Sequence, residues 1–318
     1  MKKLNIRTIA FLATTTLATT GCANRLGSAT VTVRVVDEDG QPINGAWADF
    51  YHLNSMSSNP GFTDVNGLYS TRLENIFANI SGHFTKPGYY KTNGKFWSWA
   101  DSAGKELVPP ADTNFVIVLK RIIDPVQMRQ REIKAIFPRL DEPVGFDLEI
   151  GDWIFPDGQG KIADMMLIGG GHHTSPNDYS FYLSAEFSGE HNGIQSFYVP
   201  QEGVDAFLRS DLPPPPIAPE SGYENTFELS TKRLPTDKRF PPFDETRRWI
   251  YRIRTVVDDD GKIISANYGW MAKNISIGHA GTGVIILNYY HNPDPHSRSL
   301  EPKEIADRQT KDLPKGGE

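Results

Sequence analysis

The sequence predicts a mostly β chain: a small N-terminal β-sandwich followed by a second β-rich domain. Three observations carry this. Several runs alternate apolar and polar residues with a period of two, which is the pattern of half-buried strands. Asp-Gly and Asn-Gly pairs punctuate those runs and supply the positive φ of tight reversals. Aromatic residues make up 11% of the 318 residues, with 28 Gly and 23 Pro, a composition that favours strands joined by turns. That length also suggests two domains.

In the first domain, residues 29–123, Thr30-Val31-Thr32-Val33-Arg34-Val35 places three valines on one face of a strand. Asp37-Glu38-Asp39-Gly40 reads as a turn, and Pro42 and Gly45 lead into a second strand over Ala46–His52. Thr63-Asp64-Val65-Asn66-Gly67 is a further turn before a strand from Leu68 to Leu73. Phe115-Val116-Ile117-Val118-Leu119 is a short apolar run suited to a sandwich. Thr92 to Asp112 reads as an insertion or long loop.

The motifs Val33-Arg34-Val35-Val36-Asp37, Gly40-Gln41-Pro42-Ile43-Asn44-Gly45-Ala46, Thr63-Asp64-Val65-Asn66-Gly67 and Lys86-Pro87-Gly88-Tyr89-Tyr90 resemble the carboxypeptidase-regulatory-like domain. The resemblance covers about residues 29–121. It implies a transthyretin-like or immunoglobulin-like sandwich serving as an accessory spacer or interaction module without catalytic residues. Fold alone does not fix function.

The second domain, residues 124–300, matches no family that its motifs identify. Phe181, Leu183, Ala185 and Phe187 alternate with polar neighbours. Trp249 to Val257 has period two and reverses at Asp258-Asp259-Asp260-Gly261 into Ile263–Trp270, a predicted hairpin. Gly283–Tyr290 reads as a strand buried on both faces. Short helices are expected around Gln201–Leu208 and Glu301–Asp307, and Pro213–Pro216 favours polyproline II. Residues 301–318, charged and poor in apolar side chains from Pro302, read as a mobile polar tail.

The chain opens with Lys2, Lys3 and Arg7, then an uncharged stretch from Thr8 to Gly21, then the single cysteine, Cys22. This order is that of an export signal over residues 1–21. Leu17-Ala18-Thr19-Thr20-Gly21-Cys22 resembles the lipobox of bacterial lipoproteins. The resemblance implies that Cys22 becomes the lipid-modified N-terminus and that residues 22–28 form a short tether to a membrane. Ala23 and Asn24 follow it, without Asp at once after the cysteine, which by the same resemblance implies the outer membrane of a Gram-negative bacterium. Lipidation would leave no thiol for a disulfide or for catalysis. The net charge of −6 becomes three units more negative when Lys2, Lys3 and Arg7 are removed, which argues against a nucleic-acid partner.

Chemistry-bearing motifs are sparse. His172-His173 with His191 has no metal-ligand spacing, and neighbouring strand residues face opposite ways. Asp141, Glu142, Asp147, Glu149 and Asp152 offer paired carboxylates of the kind glycoside hydrolysis uses. Phe146, Leu148 and Ile150 alternate with Asp147 and Glu149, which reads as a strand with an acidic solvent face. Asp157-Gly158-Gln159-Gly160-Lys161 reads as a turn, and Ser175 near His173 makes no triad by itself. No metal, cofactor or catalytic residue is assigned.

Trp97 and Trp99 would share one face of an extended segment flanked by Lys91, Thr92, Asn93, Lys95, Asp101 and Ser102. Two such indoles suit stacking on sugar rings or on another protein, or packing in a core. The expected function is a lipid-anchored, non-catalytic binding or scaffold module of the cell envelope, with glycan or an envelope protein as partner. The alternative is a glycan-directed hydrolase with its site in the second domain.

Overall fold

The computed structural model describes residues 27–52, 58–76, 80–96, 114–199, 206–238, 246–273, 275–277 and 283–311. The strands of the N-terminal part are β1 (Gly27–Val36), β2 (Trp47–His52), β3 (Ser58–Phe62), β4 (Leu68–Ile76), β5 (Ile80–Thr85), β6 (Thr92–Phe96) and β7 (Asn114–Val118). There follow β8 (Arg129–Ile136), β9 (Val144–Asp147), β10 (Asp152–Trp153), β11 (Met165–Ser175), β12 (Asp178–Phe187), β13 (Gly193–Tyr198) and β14 (Ala206–Ser210). The chain continues with β15 (Thr226–Arg233), β16 (Arg247–Val257), β17 (Ile263–Met271), β18 (Ser276–Ile277), β19 (Val284–His291) and helix α1 (Lys303–Lys311). The protein is thus mostly β. No helix among the described residues is long and apolar enough to cross a membrane.

The N-terminal sandwich packs a three-stranded sheet, β4-β1-β7, against a five-stranded one, β14-β6-β5-β2-β3. Val31, Val33 and Val35 of β1 are fully buried, as the alternation requires, and meet Ala48 and Phe50 of β2, Ile80 and Phe84 of β5, and Ile117 of β7. β7 lies parallel to β1, with Val35 opposite Ile117.

One loop chemistry recurs three times. At Asp37, Asp64 and Asp258 the side-chain Oδ1 accepts the N–H groups two and four residues on. The glycine three residues on, Gly40, Gly67 or Gly261, has φ of 77°, 73° or 79° and donates back to the aspartate carbonyl. Each is a tight reversal whose geometry the Asp-x-x-Gly spacing dictates.

The second part is built on two sheets, β10-β9-β11-β12-β15 and β13-β16-β17-β19-β18, with β8 paired to β19. Their facing side chains include Phe146, Leu167, Leu183, Phe187, Trp249, Tyr251, Leu287 and Tyr289. β16 and β17 form the hairpin that the alternation predicts, and β19 is almost entirely buried.

Several sequence expectations change. Of the helix expected over Gln201–Leu208, 201–205 lie outside the described residues and 206–208 belong to strand β14, which pairs Leu208 with Gly94 and so adds an edge to the N-terminal sheet across the expected boundary at 123/124. Thr92–Phe96, expected inside a loop, is strand β6, while 97–112 lies outside the described residues. Gly27 and Ser28, expected in the tether, already pair with Ile76 and Glu74. The helix expected around Glu301–Asp307 forms as α1, which runs to Lys311, and the expected tail is packed there: Ile305 and Ala306 are buried against Met128, Trp270 and Leu300, and residues 312–318 lie outside the described residues. A 3.6-residue period in a charged helix needs only one apolar stripe to be held.

Buried polar contacts lock the two parts together. Both oxygens of Glu301, a fully buried side chain, accept the N–H of Ile123, and one also accepts the N–H of Asp124 at 2.6 Å. Gln309 accepts the N–H of Lys91 at 2.8 Å and donates to Asp211 at 3.1 Å. Lys120 Nζ donates to the carbonyls of Leu212, Pro213 and Pro214 at 3.0, 2.8 and 2.8 Å. A proline-rich extended segment leaves its carbonyls unpaired, which makes them available to that ammonium.

Candidate functional site

The densest group of ionisable side chains lies between the two sheets of the second part, around Arg254. Asp147 ends β9, and its Oδ1 accepts the N–H groups of Glu149 and Ile150, both at 3.0 Å, which folds the 148–151 turn. Its Oδ2 accepts from Lys161 at 2.9 Å and Ile162 at 3.2 Å, closing a second loop. Gly151, with φ of 81°, completes the first turn, and a Cβ there would meet Ile133 at 3.0 Å and Tyr289 at 3.2 Å. Asp164, just before β11, accepts the Leu148 N–H at 2.8 Å.

Arg254 reaches this group because β16 is irregular there. The ladder to β17 shifts between Ile253 and Val256, and Arg254 adopts φ of 54°, the left-handed region seldom used by residues with a Cβ. Its guanidinium then donates to Asp147 at 2.9 Å, to Asp164 at 2.9 and 3.0 Å, and to Glu149. Asp147 and Asp164 are each 1% exposed, while Arg254 is 21% exposed. Arg129 adds an ion pair to Glu149 at 3.0 Å, and Arg131 donates to the Glu149 carbonyl.

The surroundings set the protonation states. Burial would raise the Asp147 carboxyl, but the N–H donors of Ile150, Lys161 and Ile162, with Arg254, outweigh it and hold the group below the usual carboxylate range. For Asp164 burial prevails over Arg254, and its carboxyl is pushed up. Beside them His291 is fully buried; its Nδ1 lies 3.1 Å from Tyr251 Oη with the two rings stacked, and Nε2 has no partner among the described residues. Burial pushes its imidazole down to about 4, with Glu149 pulling the other way and Arg254, Arg129 and Arg131 adding to the fall.

Chemically this is a brace. Each carboxylate oxygen of Asp147 and Asp164 already accepts at least one hydrogen bond and both side chains are almost wholly buried, so neither opens onto a cleft where a substrate proton could reach it. The reading of Asp147 and Glu149 as a solvent face is corrected at Asp147, which turns inward because Arg254 and four backbone donors replace its water. The other acids of that run are engaged separately: Asp141 accepts from Tyr182 at 2.6 Å, Glu142 pairs with Arg139, and Asp152 accepts the N–H groups of Trp153 and Gln159.

The three histidines do not converge. His172 lies 4.0 Å from Asp178, His173 stacks on Tyr179, and His191 contributes its carbonyl to Arg252 at 2.7 Å. Among the described residues no three His, Cys, Asp or Glu side chains are placed to hold a metal ion. Asp157 forms a two-bonded pair with Arg139, and Ser175 caps its own turn at Asn177. Cys22, Trp97 and Trp99 lie outside the described residues. Sequence reading missed Arg254, Asp164, His291 and Tyr251. The available signal was Arg252 and Arg254 interleaved with Tyr251 and Ile253 in the middle of a strand, where a buried cation demands buried acceptors.

No family model and no curated protein matches the chain. Among solved structures, a 3-chlorocatechol 1,2-dioxygenase from Rhodococcus opacus 1CP shares 15% identity over 30% of this chain and 60% of its own, with a TM-score of 0.23. A streptococcal ancillary pilin shares 11% identity over 86% of this chain and 61% of its own, with a TM-score of 0.20. BcpA, the major pilin subunit of Bacillus cereus, shares 8% over 86% and 98%, with a TM-score of 0.18. The chain therefore spans less than two thirds of the first two.

Proposed function

We propose that this chain is a lipid-anchored protein of the cell envelope, held by Cys22 to the outer membrane of a Gram-negative bacterium, that acts as a non-catalytic binding or scaffold module. The buried ionic centre supports the non-catalytic part: the most elaborate polar cluster in the described residues is closed off from solvent and ties strands together. The anchor rests on the lipobox-like segment before Cys22. The N-terminal module is the part that resembles the carboxypeptidase-regulatory-like domain, and its two-sheet build supports that reading.

Trp97 and Trp99 are the proposed contacts to glycan or an envelope protein.

Labelled palmitate should enter the wild-type chain and not Cys22→Ala; equal labelling overturns the anchor. The double variant Trp97→Ala, Trp99→Ala should lose capture of envelope glycan or protein while melting as the wild type does. A large fall in melting temperature assigns both indoles to a core. Turnover of glycan substrates by the purified chain would instead establish the hydrolase.

A further inference from the structure

We propose that the open side of the N-terminal sandwich, between edge strands β7 and β14, is a strand-addition site for an extended acidic peptide that seats one apolar side chain in the cavity there. The cavity has a volume of about 230 Å³ and is lined by Thr92, Val118, Lys120, Tyr198, Leu208 and Arg209, among others. β7 closes one end of the three-stranded sheet and β14 closes one end of the five-stranded sheet. Both line the same cavity, so two sheet edges face each other across it.

The ladder shows which backbone groups point there. Leu119 donates its N–H to the Val36 carbonyl, which turns the odd-numbered residues of β7 toward β1 and Val116 and Val118 outward. The Val118 carbonyl is taken by the Thr92 hydroxyl at 2.9 Å, leaving its N–H and both polar groups of Val116 without a strand partner among the described residues. Asp211 likewise donates to the Lys91 carbonyl, which turns the backbone of Leu208 and Ser210 away from β6. Natural edges are blunted by lysine, proline or a bulge, and Asn114-Phe115-Val116-Ile117-Val118 has none of these. Val116 and Val118 are instead 53% and 41% exposed. Unpaired edges beside an apolar pocket are the elements of peptide recognition by β-augmentation.

Size and charge select the occupant. The cavity is below the roughly 300 Å³ at which small-molecule sites begin, and suits one side chain of a bound strand. Lys120 stands at its end, fixed by three carbonyls, and Arg209 is exposed without an ion pair among the described residues. Glu38, which acts on Lys120, accepts the N–H of Arg121. The lining holds two cations, Lys120 and Arg209, and no carboxylate, and the nearby Asp211 carboxylate is already bonded to Asn93 and Gln309, which favours an acidic peptide over a second copy that would bring the same cations.

The biological role of this site rests on the binding-module reading, but its test is independent of Cys22 labelling and of Trp97 and Trp99. The probe is a fluorescein-labelled peptide of alternating Val and Thr ending in Asp-Asp, titrated with the full chain in detergent and read by anisotropy. Saturable binding is expected, lost when alternate peptide nitrogens are methylated. Arg209→Glu, a surface change, should weaken this probe about fivefold or more and strengthen one ending in Lys-Lys. No saturable binding at about 1 mM, or equal binding by the methylated probe, overturns the proposal. A concentration-dependent dimer that excludes the probe would overturn it in favour of a second copy.

Discussion

Arg254 and Asp164, 90 positions apart in the chain, form a two-bonded pair, Nε to Oδ1 at 2.9 Å and Nη2 to Oδ2 at 3.0 Å. This pair and Asp147 tie β16 of one sheet to β9 and the approach to β11 of the other. Removing the cation leaves two buried carboxylates without it. Arg254→Met should lower the unfolding free energy by about 3–5 kcal/mol in urea titration. Adding Asp164→Leu should restore part of that loss, because the stranded charge goes with it. A single-variant loss within experimental error would show that the group braces nothing.

His291 gives the fold a pH dependence of definite sign. Its imidazole titrates near 4 when folded and near 6.5 when unfolded, so between those values the unfolded chain binds the extra proton. Stability is therefore full above about pH 7 and falls as pH drops through 6.5 toward 4, by up to about 3 kcal/mol. His291→Gln should flatten that part of the curve in denaturant titrations at stepped pH. An unchanged slope would assign the acid sensitivity to other groups.

Two glycines in the same loop chemistry should differ in cost. Gly261 has φ of 79° and open space where a Cβ would go, so Gly261→Ala should cost only the left-handed strain, about 1–2 kcal/mol. Gly67 has φ of 73°, and its Cβ would stand 2.4 Å from the Val35 carbonyl oxygen. Gly67→Ala should therefore cost about 1–3 kcal/mol more. Equal melting temperatures for the two variants would contradict the packing at Gly67.

The C-terminal helix should be a fastener between the two parts. Glu301→Ala removes the acceptor for the Ile123 and Asp124 N–H groups and should cost about 2 kcal/mol or more. Gln309→Ala should add a smaller loss by freeing Lys91 and Asp211. Limited proteolysis should then cut near residue 123 faster than in the wild type; an unchanged cleavage rate would show that the join does not depend on these bonds.

Local pattern carried most of the fold. Val31, Val33 and Val35 read correctly as one buried face because a strand's period of two needs no partner to be visible. The Asp-x-x-Gly reversals were legible for the same reason, since the side-chain cap and the glycine lie within five residues. β14 was not legible: Ala206–Ser210 is too short to show a period, and its identity as a strand comes from Gly94 and its neighbours on β6. Helix α1 was legible as a helix around Glu301–Asp307 but its packing was not, because its charged composition hides the one buried stripe formed by Ile305, Ala306 and Gln309.

The candidate site divides along the same line. By itself the sequence determined the alternating strands, the capped turns and the cysteine placed after an export-like segment, all features of neighbouring residues. Only the tertiary structure decided that Asp147 faces inward. That choice depends on Arg254, 107 positions away, which reaches it through an irregularity in β16. Only the tertiary structure brought the edges of β7 and β14 to one cavity. A carboxylate's environment and a sheet's free edge are set by what lies across the core, and separation along the chain does not encode that distance.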